Sequence, residues 1–366
     1  RTESAAAADA TKRQGRGGGS GRRGRRCESP GMTSATTRLP PARVTTRRRP
    51  GGRPLTVVLA TGAVAVLLLT LVRMLPDDAW TPVAQLVGFT PFVALGAVAG
   101  LVLTLLARRW LLAALLAVCV AVQAVWLVPA FVPGPAPPDD AVTLRVMGAN
   151  TWYGAADAEA LVDLVRTEDV QVLAVLELTT DLRERLVAAG IEDVLPYSAD
   201  GKVGRGAMGS GLWSALPLRD VDVEPFSNDA MPSATVEVDG VPVRVTAVHP
   251  IPPIPEYVDI WHEETDALAE RAHGDPLPQV LVGDFNSTHD HATFRRLLGD
   301  RFHDATRASG GGLDLSWSPR PGVVPPLLNL DHVVTDRENV VTDVGSLHVV
   351  GSDHRAIVAT VHVPRP

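Results

Sequence analysis

The sequence predicts an α/β domain of two packed sheets with helices outside, preceded by three apolar helices. Three observations predict it. Charge-free runs fill residues 54–72, 79–107 and 110–138. From about residue 141 the pattern changes to short β-branched strands broken by Gly, Pro and Asp. Strands outnumber helices there, and wholly apolar strands mix with a hairpin, which suggests two sheets sharing a core.

Residues 1–53 carry thirteen Arg and one Lys against three acids, a net charge of +11. The rest of the chain carries −18, giving −7 overall. The first segment is rich in Gly, Arg, Ala and Thr and has too little apolar surface to offset chain entropy, so it is expected to be disordered. RRGRR at 22–26 and RRR at 47–49 read either as a nucleic-acid arm or as the cytoplasmic flank of a membrane helix; the flank is the expectation. The acidic remainder argues against a polyanion partner. Met32 is the first Met, and a start there would leave a flank of six Arg and no acid over 33–53.

Each apolar run exceeds the roughly 18 residues that span a bilayer. Transmembrane helices are expected at 55–75, 83–106 and 110–132, with Arg73 snorkelling at the end of the first. Loop charge orients them. The tail is basic, 76–82 holds Asp77 and Asp78, the next loop holds Arg108 and Arg109, and PGPAPPDD follows. That alternation puts the N-terminus in the cytoplasm and the C-terminal domain outside the cell membrane. Residues 133–141 read as a stiff Pro-rich linker holding the domain at 142–364 off the membrane. The two cysteines, Cys27 and Cys119, both precede that domain, which therefore has neither a disulfide nor a thiolate metal site.

Within the domain, 142–148 reads as a strand, 157–168 as a helix with Ala158, Leu161, Val162 and Val165 on one face, and 170–176 as an apolar strand. Residues 234–238 and 241–248 flank Asp239-Gly240, a two-residue hairpin turn. A buried strand at 279–283, a helix near 292–298 and a final strand at 356–363 complete the reading. Several strands deliver a polar residue as they stop: Asn150, Glu177, His249, then Asp284 and Asn286. Asp331 precedes an apolar pair, and Ser352, Asp353 and His354 precede the last strand. Strand ends on a rigid sheet are where catalytic groups are commonly held. The inventory is rich in oxygen and has no Cys, which suits Mg²⁺ or Mn²⁺.

The pieces RVMGANTW, VLAVLEL, GSGLWSALPL, VTAVHP, LVGDFNS, LDHVVT and GSDHRAIVATV together resemble the endonuclease/exonuclease/phosphatase superfamily, with its DNase I-like fold. The resemblance covers about residues 142–364. It implies a four-layer α/β sandwich, two mixed β-sheets flanked by helices, that hydrolyses phosphate esters with a divalent metal. It implies metal contacts from Asn150 and Glu177, with Asp353 supporting the metal or its waters. It implies that Asp284 activates water, Asn286 holds a phosphate oxygen, and His249 donates to the phosphoryl group. His354 would stabilise charge on phosphorus, oriented by Asp331.

Nucleic acid, a lipid head group and a small phosphoester remain open as substrates, and no protein partner is inferred. A catalytically silent binding domain of the same fold is the alternative. Trp152 and Tyr153 read as groove lining or ordinary packing, and Arg205 as a phosphate contact or a loop residue. His289 and His291 look like a metal pair, but a surface loop is the expectation. His332 receives no role.

Overall fold

The computed structural model describes residues 52–78, 80–204, 206–223 and 231–365. The basic tail before residue 52 and Arg205 lie outside the described residues.

Four helices come first: α1 (Gly52–Val72), α2 (Thr81–Val87), α3 (Thr90–Leu106) and α4 (Trp110–Leu127). Arg53–Val72 and Trp110–Phe131 are long and apolar enough to cross a membrane. The expected second span departs from this. It is two helices, α2 and α3, which meet at 67° and pass the same test only as a pair. Pro91 lies in the first turn of α3 and brings no N–H to continue α2, while the Thr90 hydroxyl donates to the freed Val87 carbonyl at 2.7 Å.

The domain begins with β1 (Val142–Asn150), α5 (Ala158–Thr167), β2 (Val172–Leu176) and α6 (Thr180–Ala188). Then come β3 (Tyr197–Asp200), β4 (Ser210–Ser214), β5 (Arg219–Asp222), β6 (Ser233–Val238) and β7 (Val241–Val248). After α7 (Val258–Gly274) follow β8 (Gln279–Asp284), α8 (Ala292–Leu298), β9 (Phe302–Asp304) and α9 (Ala305–Ser309). The chain closes with β10 (Asp331–Asp336), β11 (Val340–His348) and β12 (Arg355–Val363).

One sheet has the order β11-β12-β1-β2-β4-β3, the other β5-β6-β7-β8-β10-β9. Each contains one parallel pair, β1 with β2 and β7 with β8, joined by the crossover helices α5 and α7. These central strands are buried on both faces, so they read as continuous apolar runs. Val146, Val172, Val236, Val245, Val282 and Ala359 belong to the core between the sheets. A second cluster holds α5 and α6 on the first sheet, and a third holds α7 and α8 on the second. The layers are therefore helix, sheet, sheet, helix.

The helical unit and the domain share one compact body. Arg73 does not snorkel. It is buried, its Nε lies 2.6 Å from Asp290 Oδ1, and its guanidinium stacks 4.3 Å over the Trp126 ring. A carboxylate and an aromatic face inside the protein satisfy the planar cation without a reach to water. Nor does the Pro-rich linker hold the domain away. Arg307 donates to the Trp126 carbonyl at 3.0 Å, and Gly312 N donates to the Ala130 carbonyl at 2.8 Å.

Candidate active site

Two glycines bring the sheets together beneath the site. A Cβ on Gly148 would lie 3.1 Å from the Gly283 Cα, and one on Gly283 would lie 2.3 Å from the Val248 carbonyl oxygen. No side chain fits there, so β1 and β8 approach closely and the residues just past each glycine meet. Asn150 Nδ2 donates to Asp284 Oδ2 at 3.0 Å and to Glu177 Oε1 at 3.2 Å.

Register places the rest. Asp331 on β10 stands opposite Asp284 on β8. Val248 pairs with Gly283, so His249 follows at the same sheet end. His249 Nε2 lies 3.9 Å from Asp284 Oδ2 and 4.0 Å from Glu177 Oε1. His354 Nδ1 lies 2.8 Å from Asp331 Oδ2, and its Nε2 faces Asp284 Oδ2 at 3.6 Å. Asn286 turns at φ 48°, takes a bond from its own N to Asp284 Oδ1 at 2.8 Å, and donates from Nδ2 to the Pro250 carbonyl at 2.9 Å. Asp353 accepts from Trp317 Nε1 at 3.2 Å. All eight candidate residues therefore gather at one end of the sandwich.

Backbone strain collects here as well. Trp152, Tyr153, Glu177 and Asn286 all have positive φ. Asn tolerates that region, but Glu177 does so at a cost of about 1 kcal/mol or more. The bend aims its carboxylate back at the turn after β1, where Tyr153 N donates to it at 2.5 Å.

Burial sets the charges. Burial pushes the Glu177 and Asp284 carboxyls up, and the nearby Asp284 and Asp331 charges add to it respectively. Burial also raises Asp353 and lowers His249, which keeps His249 neutral. For His354, burial works against the charged form, but Asp331 and Asp284 overcome it and raise the imidazole to about 10. His354 is thus a fixed cation held by a carboxylate.

Asp284, Asp331 and His354 lie close enough together to hold a cation. A protonated imidazole does not ligate metal, so that trio reads better as an acid–histidine–acid chain. A divalent ion is better matched by Glu177 and Asn150, whose side chains meet at 3.2 Å beside the buried Asp284 carboxylate. Asp331 Oδ1 and Asp353 Oδ1 nearby are buried without a hydrogen bond. Such unbonded oxygens suit a hard divalent ion. Asp77, Asp78 and His262 form another group, but Asp78 already caps α8, and Arg296 lies 3.2 Å from His262 Nδ1.

Sequence reasoning missed several supports. The Ser352 hydroxyl donates to the Asn150 carbonyl at 2.7 Å and accepts from His354 N at 3.0 Å. Ser316 Oγ accepts from Asp331 N at 3.2 Å. Ser352 stands out in the GSDH string but receives no role there; nothing around Ser316 or Trp317 signals one. His332 also has one. Its Nε2 lies 2.9 Å from the Ser287 carbonyl and its Nδ1 3.4 Å from Asp304. Burial disfavours its charge, yet Asp304 wins and raises it, so a buried ion pair braces the loop after Asn286. His289 and His291 are neither a metal pair nor a surface loop. They pack at the junction with the helical unit, where His291 Nε2 lies 2.7 Å from the Ala84 carbonyl. Trp152 and Tyr153 are exposed rather than packed.

Fold and site together match an α/β sandwich hydrolase of phosphoester type. Residues 147–354 match the profile described as the Endonuclease/Exonuclease/phosphatase family, and the chain belongs to it. No curated protein matches the chain by sequence. Among solved structures, humanized D. rerio TDP2 is similar at TM-score 0.52 and 13% identity, over 60% of this chain and 98% of that one. D. rerio TDP2 complexed with single strand DNA product is similar at TM-score 0.52 and 12% identity, over 60% and 98%. An endonuclease/exonuclease/phosphatase from Beutenbergia cavernae DSM 12333 gives TM-score 0.46 and 18% identity, over 61% and 72%. At these identities the likeness is one of fold.

Proposed function

We propose that the chain is a metal-dependent hydrolase of phosphate esters, anchored in a membrane with its catalytic domain on the extracytoplasmic side. The observation that carries this reading is the convergence of Glu177, Asp284 and Asn150 beside the charged His354–Asp331 pair. A buried carboxylate and a partly exposed one beside a fixed cation suit phosphoryl transfer, which needs positioning and charge neutralisation more than covalent chemistry.

Glu177 and Asn150 would hold the divalent ion, Mg²⁺ or Mn²⁺, with Asp353 on its waters. When bound, the ion supplies positive charge to a phosphoryl oxygen. Asp284 orients the attacking water and accepts its proton. Asn286 donates to a phosphoryl oxygen, and the neutral His249 donates a second bond. His354 keeps its proton and faces the charge that develops on phosphorus, while Asp331 fixes its ring. The loop-charge alternation supports the topology. Protease added to intact cells is expected to cut the domain, and protection there with the outer surface exposed would reverse the orientation.

The test of chemistry is turnover of bis(4-nitrophenyl) phosphate by the full chain in detergent, with Mg²⁺ or Mn²⁺ and with chelator. Metal-dependent hydrolysis that chelator abolishes is expected. A folded protein without metal-dependent hydrolysis of this ester, DNA, RNA or phospholipid would overturn the reading.

A further inference from the structure

The catalytic domain is seated on the ends of the apolar helices at several points. Beyond the Arg73–Asp290 pair, Asp78 accepts from Ala292 N at 2.7 Å and from the Thr293 hydroxyl at 2.6 Å, capping α8. The Ala130 carbonyl, just past α4, receives Gly312 N. The C-terminal end of α1 and the segment after α4 therefore meet the same face of the domain.

Two loops run from that face to the catalytic groups. The first, 250–257, starts at the Pro250 carbonyl, which Asn286 holds at 2.9 Å. Both its ends lie near α2, where Ile251, next to Pro250, and Val258 and Trp261, just past the loop, cluster with Ala84. Eight residues reach at most about 27 Å when extended. This loop is shortened further by turns at Ile254 and Tyr257. The second loop starts at Trp317, bonded to Asp353. It ends at Leu328, whose Cδ2 lies 3.4 Å from where a Gly88 Cβ would stand. It walls a cavity of about 310 Å³ that also touches Asp353 and His354.

The exposed parts of these loops carry apolar side chains beside two charges, Glu256 and Arg320. Ile254 and Tyr257 on the first and Val323 on the second are exposed, as is Trp80 beside α2. In open water such side chains gain nothing, whereas next to a bilayer they sit at the depth that aromatic and aliphatic anchors favour. A chain with net charge −18 outside its tail is also a poor surface for a polynucleotide.

We propose that the substrate is the phosphoester head group of a lipid in the membrane that holds the enzyme, with loop 250–257 and residues 321–326 as the lipid-facing rim. This rests on the phosphoesterase and membrane-anchor readings above. Hydrolysis adds one water across one P–O bond. The water oxygen goes to phosphorus, one of its protons ends on the departing alcohol, and the other is released from the new phosphate product.

The full chain is reconstituted in vesicles of phosphatidylglycerol, phosphatidylethanolamine, phosphatidylinositol and cardiolipin, with Mg²⁺ or with chelator. Head-group release is followed in the enzyme's own vesicles and in added enzyme-free vesicles, alongside bis(4-nitrophenyl) phosphate and DNA. Metal-dependent release, at least tenfold faster from the enzyme's own vesicles, is expected. The double variant I254D/Y257D should lose at least tenfold of that release while its soluble-ester rate stays within twofold. Cleavage of the soluble ester or DNA with every lipid intact overturns the lipid proposal and leaves the phosphoesterase reading standing. Equal lipid rates in the variant and the parent overturn the rim. No cleavage of anything by a folded protein removes the phosphoesterase reading, and this proposal with it.

Discussion

Residues 284–286 and 290–293 are separated by three residues and use buried polar groups in opposite ways. In the first stretch Asp284 is buried among Asp331, Glu177 and two histidines, its carboxyl pushed up by burial, with unbonded oxygens on Asp331 and Asp353 close by. In the second, Asp290 is matched by Arg73, and the backbone of Ala292 and Thr293 is capped by Asp78. One stretch leaves electrostatic demand for a ligand to meet. The other closes that demand within the chain and becomes a joint. The difference marks which buried charges are for chemistry and which are for holding.

The largest expected effect breaks the first half alone. Asp284→Ala should lower phosphodiester turnover by roughly 10²–10⁴-fold, the usual range for a positioned acid or base. The protein should still fold, because Asn150, Asn286 and His354, which face Asp284, keep their bonds to Glu177, the Pro250 carbonyl and Asp331. Wild-type rates in a folded D284A protein would remove Asp284 from the chemistry.

Next comes the joint. Arg73→Ala removes the cation paired with the buried Asp290, and with Arg295 and Arg307 still nearby the cost should be at or below the about 3–5 kcal/mol of a buried pair broken on one side. The loss should appear as faster amide exchange over residues 288–293 and a lower unfolding midpoint in nanodiscs. Unchanged exchange there would mean that Asp290 is satisfied by something other than Arg73. Asp78→Ala is a smaller break of the same joint. It removes a helix cap worth about 0.5–2 kcal/mol, read as exchange confined to the first turn of α8.

That joint was the part least legible in the sequence. Asp290, His289 and His291 sit in one short string and read as a metal pair or a surface loop, because nothing local to NSTHDH says that Arg73 and Ala84, more than two hundred positions earlier, will cover it. Arg73 was misread for the same reason: an Arg at the end of an apolar run looks alike whether it meets water or a distant Asp. The kink between α2 and α3 was in plain view as Gly88 and Pro91, but the absence of charge over 79–107 outweighed it. The strands were far easier, since continuous apolar runs, stopped by Gly-Asp or Asn, carry their own boundaries. The gathering of Asn150, Glu177 and Asp284 followed from those boundaries together with the family resemblance. The device that lets the sheets touch, Gly148 against Gly283, was printed in VMGAN and LVGDFN yet has no meaning until the two strands are known to cross.

A pH series separates the two halves with the smallest perturbation. Burial, then the Arg307 charge, lowers the His289 imidazole to about 3. The unfolded chain binds that proton near the ordinary pKa of about 6.5, so the folded state gains from a neutral His289 at all pH above it. The gain shrinks as pH falls, because the unfolded state takes up the proton first and the folded state does so only near 3. Between pH 7 and pH 5 the loss should be on the order of 1–2 kcal/mol, and His289→Gln should flatten that slope by the same amount. The loosening should show first in exchange at residues 288–293, before the strands that carry Asp284 and Asp331. If H289Q and the parent lose stability with identical slopes, His289 is solvated in the folded protein and the joint is looser than its packing implies.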